Sequence, residues 1–207
     1  IMAIFLNFDT GLTRTKYHIP RANPYLVSRP RLHQKLDTAL NRKLTLITAP
    51  AGYGKTTAVV EWLENTNVFA TWLSIDPEDN NPIRFWRYVC AALDEITAGI
   101  CKNAEYVFSS PELLKANIQI NIMIDRLSEL EQDCLFIVDD IHLINNPAIL
   151  KGLAFLIQYL PPRMHLILIS RTMPALELAK YEIKLQMLTI SEADLRFREE
   201  EISQFYA

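Results

Sequence analysis

The sequence predicts an α/β fold in which helices cover both faces of a parallel β-sheet. Apolar, strand-like runs alternate with stretches of helical periodicity along most of the 207 residues. The run at 134–138 is continuously apolar, as expected for a strand that is buried on both faces, and the run at 165–169 makes the next buried strand. A short turn at 49–57 also joins a predicted strand directly to a predicted helix. Right-handed crossovers between parallel strands complete this architecture.

Each element follows from a local pattern. Apolar residues at a spacing of four after Pro30 predict a first helix, and Gly11, Pro20 and Pro24 make residues 1–25 an irregular arm. The strands are predicted at 43–49, 69–75, 134–138 and 165–169, with a last short strand within 182–190. The other helices are predicted at 55–64, 82–98, 111–130, 147–160 and 198–206.

The composition excludes several classes of protein. The net charge of −3 provides no basic field for nucleic acid, and the longest apolar runs are too short to span a membrane. The three cysteines are odd in number and lack C-x-x-C spacing, which favours free buried thiols in a reducing compartment. No basic leader precedes the apolar start, so no signal peptide is predicted. A cytoplasmic location is expected.

The turn at 49–57 has the composition of a phosphate-binding P-loop. Gly52 and Gly54 allow positive φ, which lets successive backbone N–H groups point inward around an anion, and the following helix adds its positive end. Lys55 is placed to reach the β- and γ-phosphates of a nucleotide, and the Thr56 hydroxyl to join a Mg²⁺ ion. The sequence of the turn is Ala49-Pro50-Ala51-Gly52-Tyr53-Gly54-Lys55-Thr56-Thr57, in which Ala49 stands where glycine is usual.

Acidic and basic groups are predicted to converge on this loop. Asp139 and Asp140 directly follow the strand at 134–138, where a hard oxygen ligand for Mg²⁺ is needed. We assign Asp139 to the metal and Asp140 to the orientation or deprotonation of a water molecule, the alternative being a solvated turn. Arg171 ends the strand at 165–169 and could contact the γ-phosphate, although a surface ion pair is also open. A structural role is favoured for His142.

These features together predict a P-loop NTPase three-layer sandwich. One strand, at 69–75, separates the P-loop from the acidic pair in sequence. That order is typical of ATPases in which a further strand lies between the P-loop strand and the acid-bearing strand. The shorter side chain of Asp140, where many efficient ATPases carry glutamate, favours slow hydrolysis.

The motifs in combination resemble the nucleotide-binding domain of STAND ATPases, in particular the MalT-like group of LuxR-type transcriptional activators. The likeness covers nearly the whole chain from about residue 15. The segments that carry it are Thr15-Lys16 with Pro20, Leu26 to Leu32, 49–57, Trp72 to Asp76 with Asp79-Asn80, Val138 to His142, Ser170-Arg171 with Pro174, and Asp194 to Phe197.

The resemblance implies an AAA-like fold and further site residues. It implies that Val27 and Arg29 lie near the adenine and ribose, although Ser28 stands where the family commonly has glycine. It also implies that residues 191–207 begin a winged-helix region. We therefore divide the chain into an arm at 1–25, a nucleotide-binding domain at 26–190 and the start of that region, and expect an N-terminal fragment of a longer regulator.

The resemblance further implies a regulatory switch that binds ATP or ADP with Mg²⁺ and is at most a slow ATPase. Family members self-associate when activated, and they contact DNA through a C-terminal domain outside this sequence. The alternative left open is a P-loop phosphotransferase that acts on a small acceptor, although no arginine-rich lid segment supports it.

Overall fold

The computed structural model describes residues 12–21, 28–97, 99–100 and 113–203. Within these residues, five strands form one sheet in the order β2-β3-β4-β1-β5, and every neighbouring pair is parallel. The strands are β1 (Leu44–Thr48), β2 (Phe69–Ser74), β3 (Cys134–Asp139), β4 (Met164–Ser170) and β5 (Met187–Ile190). The predicted parallel α/β sheet is therefore confirmed.

The described helices alternate with these strands. They are α1 (Pro30–Asp37), α2 (Lys55–Glu64), α3 (Pro82–Asp94), α4 (Leu113–Leu127), α5 (Pro147–Tyr159), α6 (Ala179–Ile183), α7 (Glu192–Leu195) and α8 (Glu199–Ser203). Helix α3 ends earlier than the predicted residue 98. Prolines at the first positions of α1, α3 and α5 begin these helices, because the missing N–H is unpaired there in any case.

Two apolar clusters lie on opposite faces of the sheet and make the three layers. One cluster joins alternate residues of β1 to β4, such as Leu46 and Phe136, to helices α3, α4 and α5. The other joins the intervening residues, such as Ile47 and Ile137, to α1 and α2, and it includes Leu195 of α7. Both faces are apolar, which explains why the strands read as continuous hydrophobic runs.

Strand β4 lies between β1 and β3, as the predicted strand order requires. Thr48 at the end of β1 pairs with Ser170 at the end of β4. Ser74 at the end of β2 pairs with Asp139 at the end of β3. The P-loop, the acidic pair and Arg171 therefore start from the same carboxyl edge of the sheet, where ligands bind in open α/β folds.

The cysteines differ in part from the expectation of free thiols. Cys134 is buried and free, and burial raises the pKa of its thiol. Cys90 is disulfide-bonded, so the expectation is wrong for that residue. An odd count of cysteines without C-x-x-C spacing does not exclude a disulfide bond. Among the helices described, none has both the length and the apolar character needed to cross a membrane.

Candidate functional site

The turn between β1 and α2 adopts the backbone that its glycines predict. Gly52 and Gly54 have φ of 84° and 68°, and Gly54 is the N-cap of α2. Because a side chain at either position would be strained, both residues fulfil a conformational requirement of this loop. Pro50 and Ala51 are exposed, whereas Thr57 is half-buried in the first turn of α2. The loop thus presents the free N–H groups of a helix start at the carboxyl edge of the sheet.

Lys55 is buried at the start of α2, and its ammonium group lies within the loop. Its Nζ donates to the carbonyl oxygens of Ala49 at 2.7 Å and Pro50 at 2.9 Å. Burial lowers the pKa of Lys55, and the nearby charge of Asp140 opposes this shift. The two carbonyls hold the ammonium group beside the backbone of this loop, and its contact with phosphates stays a prediction.

A hydrogen bond joins the P-loop helix to the acid at the end of β3. Thr56 Oγ1 donates to Asp139 Oδ2 at 2.7 Å, across 83 residues of sequence. Two ligands at right angles around Mg²⁺, each at about 2.1 Å, would be roughly 3 Å apart. The hydroxyl and the carboxylate therefore fit adjacent positions of an octahedral magnesium site. Burial raises the pKa of Asp139, while the bond from Thr56 lowers it.

The second acid, Asp140, lies between two basic side chains. Its Oδ1 is 3.7 Å from Arg171 Nε and 3.6 Å from His142 Nδ1. Asp140 adopts a left-handed backbone with φ of 57°, and its N–H donates to Asp139 Oδ1 at 2.8 Å. Burial lowers the pKa of His142, with Asp140 opposing the shift. The structure thus places the predicted residues of β3 and β4 together.

Arg29 is buried beside the P-loop rather than exposed to solvent. A side chain at Gly54 would meet Arg29 Nη2 at 3.9 Å. Arg29 Nη1 donates to the carbonyl oxygen of Leu195 at 2.8 Å, and the guanidinium group lies 4.8 Å from the ring centroid of Phe197. Arg29 therefore bridges the P-loop and the C-terminal segment. Its contact with the adenine or ribose stays a prediction, and Val27 lies outside the described residues.

Sequence reasoning missed the contacts that attach residues 191–201 to the site. The Tyr53 hydroxyl donates to Glu192 Oε1 at 3.0 Å. Lys35 Nζ donates to Asp194 Oδ1 at 2.7 Å, and Arg31 Nη2 to the Asp194 carbonyl at 3.0 Å. The serine and aspartate three residues apart at 191–194 were the available signal, because they form a helix cap in which Asp194 accepts from the N–H of residue 191.

Comparisons with known proteins agree with this geometry. The family described as "AAA domain" matches residues 38–178. The HTH-type transcriptional regulator MalT of Yersinia enterocolitica is 35% identical over 180 residues, which is 87% of this chain and 20% of that protein. MalT of Klebsiella pneumoniae is 33% identical over 195 residues, 94% of this chain and 22% of that protein. The chain thus spans about a fifth of the length of the curated relatives it matches.

Solved structures share the fold at low sequence identity. The Walker-type ATPase PABY2304 of Pyrococcus abyssi has a TM-score of 0.52 at 14% identity, covering 90% of this chain and 59% of that one. The Drosophila ORC bound to DNA also has a TM-score of 0.52 at 14% identity, covering 91% and 47%. At this identity the likeness concerns the fold alone. With its match to more than half of the residues and its five-stranded parallel sheet, this chain belongs to the AAA domain family.

Proposed function

We propose that this chain is the ATP- and ADP-binding switch domain of a transcriptional regulator located in the cytoplasm. The observation that carries the proposal is the Thr56–Asp139 hydrogen bond beside Lys55, at the end of the loop that contains Gly52 and Gly54. An anion-binding backbone, an ammonium group and two hard oxygen ligands meet there. This set matches a polyphosphate chelated by Mg²⁺.

Each residue has a role that follows from its position. Residues 50–57 hold the phosphates, with Lys55 exchanging its two carbonyl partners for phosphate oxygens. Thr56 and Asp139 hold Mg²⁺, which neutralises phosphate charge when it is bound. Asp140 orients or deprotonates a water molecule, and its partners, His142 and Arg171, differ from the Thr56 partner of Asp139. Slow hydrolysis is proposed because the side chain of Asp140 is short.

Arg171 is proposed to distinguish ATP from ADP. Its side chain is 52% exposed and lies 3.7 Å from Asp140, so it is free to approach a γ-phosphate at the edge of the site. A guanidinium group forms strong charge-assisted bonds to phosphate oxygens. Its contact would therefore be present in the ATP complex and absent in the ADP complex.

The regulatory part of the proposal is supported by the curated relatives, which are named as transcriptional regulators. We propose that residues 191–207 start a winged-helix region, that the full-length protein self-associates when it is activated, and that it contacts DNA through a C-terminal domain. The contacts of Tyr53 with Glu192 and of Arg29 with Leu195 give that region a direct attachment to the P-loop. A few kcal/mol of differential binding, about 5 kcal/mol for a nearly complete shift, would operate such a switch.

Calorimetry with MgATP and MgADP tests the nucleotide site. Lys55→Ala should abolish measurable binding of both, because it removes the charge that faces the phosphates. Lys151→Ala, which changes an exposed lysine on α5, is the matched control and should bind like the wild type. Undiminished affinity in a folded Lys55→Ala protein, with folding checked by circular dichroism, would refute the site.

The ratio of the affinities for MgATP and MgADP tests the role of Arg171. Arg171→Ala should weaken MgATP binding by about tenfold, as the loss of one charge-assisted contact predicts, and leave MgADP binding nearly unchanged. An equal loss for both nucleotides would show that Arg171 does not contact the γ-phosphate.

A further inference from the structure

Leu185 adopts a left-handed backbone conformation that is usual for glycine. It follows α6 with φ of 55°, its N–H donates to the Glu182 carbonyl at 3.0 Å, and the N–H of Gln186 donates to the Tyr181 carbonyl at 2.8 Å. These two bonds form a Schellman motif, in which the left-handed residue is usually glycine. Leucine is strained there, and it gains little from burial because it is 72% exposed. The strain points to a function for the side chain.

Leu185 and a second aliphatic side chain form a basic-rimmed apolar knob, which we define as Ile183 and Leu185 with Arg42, Lys43 and Lys184. Ile183 is 83% exposed. Arg42 Nη1 donates to the Leu185 carbonyl at 2.9 Å, and Lys43 lies close enough to Lys184 for the two charges to interact. Within the described part of the chain, none of the three cations forms an ion pair.

The knob requires an apolar and acidic counterpart, and this chain carries one. A cavity of about 660 Å³ is lined by two glutamates, Glu131 and Glu129, the latter in an exposed ion pair with Arg126 at 3.5 Å, together with apolar groups that include the partly exposed ring of Phe69. Its volume is ample for two aliphatic side chains. We call it the acidic cavity. Its full lining is Phe69, Ile96, Thr97, Glu129, Leu130, Glu131, Gln132 and Cys134.

The knob and the cavity lie at the same end of the sheet, but the knob is beside one outer strand and the cavity is beside the other. Phe69 and Cys134 are the first residues of β2 and β3, and Leu185 lies two residues before β5. Since all strands are parallel and β2 and β5 are the outer strands, both features lie at the amino edge. They are separated by roughly 20 Å, the width of four strand spacings. One copy therefore cannot fill its own cavity with its own knob.

We propose that the basic-rimmed apolar knob of one copy docks into the acidic cavity of a second copy. The opposite charges and the apolar groups on each side make the two surfaces complementary. The proposal deepens the self-association part of the proposed function, but it uses the end of the sheet opposite to the nucleotide site. Because the two surfaces differ, the contact is heterologous, and each added copy leaves a knob and a cavity unused. The assembly grows head to tail into a ring or a filament.

Sedimentation velocity of the 207-residue chain over a range of concentrations tests the contact. The wild type should form species larger than a dimer, and the association should weaken with added salt. Leu185→Gly should weaken the association by about tenfold, the loss expected for one buried aliphatic anchor. Its thermal midpoint should not fall, because glycine relieves the left-handed strain. Ile83→Ser, an exposed aliphatic residue on α3, is the control and should associate like the wild type.

A mixing experiment separates this contact from any symmetric one. Glu129→Lys/Glu131→Lys should weaken self-association more strongly than Leu185→Gly, because it repels the cations of the knob. When the two defective variants are mixed, the intact knob of one meets the intact cavity of the other, and a one-to-one complex should form and stop growing. A wild type that stays monomeric, a mixture that stays monomeric, or Leu185→Gly that associates normally would overturn the proposal.

Nucleotide binding in the same variants keeps the two proposals distinguishable. Leu185→Gly and Glu129→Lys/Glu131→Lys should bind MgADP with wild-type affinity, since their positions lie at the amino edge. Normal nucleotide binding without knob-dependent association would overturn the docking proposal alone. Head-to-tail association in a protein that binds no nucleotide would leave the docking surfaces standing and refute the switch.

Discussion

The Tyr53 hydroxyl donates to the Glu192 carboxylate at 3.0 Å, so the loop between β1 and α2 is bonded to helix α7. The two residues are 139 positions apart in sequence. Glu192 also accepts from Arg196, and the bonds from these two side chains lower the pKa of the Glu192 carboxyl group. A change in the position of the loop would therefore shift or break a contact of the segment that follows β5.

Tyr53→Phe should loosen that segment without unfolding the domain. The ring keeps its packing against the α1 and α2 cluster, while the bond to Glu192 is lost. We expect severalfold faster amide hydrogen exchange at Glu192–Leu195, measured by mass spectrometry. Tyr159→Phe, which alters an exposed ring on α5, is the matched control. Unchanged exchange in Tyr53→Phe would show that other contacts alone hold α7.

Arg29→Met should destabilise the fold, since Arg29 is 3% exposed and bonded to the Leu195 carbonyl. The substitution retains much of the apolar stem but leaves a buried carbonyl without its donor. We expect a loss of about 2 kcal/mol in the free energy of unfolding, measured with urea. Arg21→Met changes an exposed arginine in the arm and should be neutral. Equal stability of both variants would contradict a bridging role for Arg29.

Asp79→Asn should be costly because its carboxylate is fully buried between two cations. Arg84 Nε donates to Asp79 Oδ1 at 2.9 Å, and Lys16 Nζ donates to Oδ2. Removing the negative charge weakens the buried bonds from Lys16, Arg84 and the Asp76 N–H, and it leaves both cations to the more exposed carboxylate of Asp76. We expect a loss of about 3 kcal/mol in the free energy of unfolding. Glu78 also pairs with Arg84, at 3.2 Å, but its side chain is 74% exposed, so Glu78→Gln is the control and should change little. A small effect of Asp79→Asn, comparable to that control, would refute this prediction.

Asp139→Asn should separate stability from function. Burial raises the pKa of Asp139, so its negative charge is less favourable in the folded protein than in the unfolded chain. The amide should therefore raise the thermal midpoint slightly while lowering the Mg²⁺-dependent affinity for ADP by about tenfold or more.

The same shift of the pKa sets the pH dependence of binding. Mg²⁺ needs the Asp139 carboxylate, so wild-type affinity should fall with decreasing pH, beginning at a higher pH than for an ordinary aspartate. Titration of MgADP binding against pH measures this. A wild-type profile that matches the profile of Asp139→Asn would contradict the assignment of Asp139 to the metal.

The sequence predicted the parts of the site that local pattern controls. The glycine spacing at Gly52 and Gly54 specified the loop, and the runs that became β3 and β4 placed Asp139 and Arg171 at strand ends. Because all strands are parallel, these ends lie at one edge of the sheet, and their proximity follows without knowledge of any side-chain contact. Strand pairing predicts that Asp140 and Arg171 lie near each other, but it does not predict the distance between their side chains.

Contacts between distant side chains on irregular segments could not be predicted. Arg29 reads as a polar residue before a proline, and only the tertiary fold reveals that the Leu195 carbonyl, 166 positions away, buries it. The docking of Tyr53 on Glu192 depends likewise on where β5 places α7. The left-handed backbone of Leu185 breaks the glycine preference, so no rule based on propensity could find it.

The place of β4 between its two neighbours has a consequence for how the site tolerates change. Its backbone is bonded to both β1 and β3, so it fixes the distance between the loop that follows β1 and Asp139 at the end of β3. Inserting one residue into Met164–Ser170 would advance Arg171 by about 3.3 Å and turn it to the other face. The position of Arg171 therefore depends on the length of one internal strand.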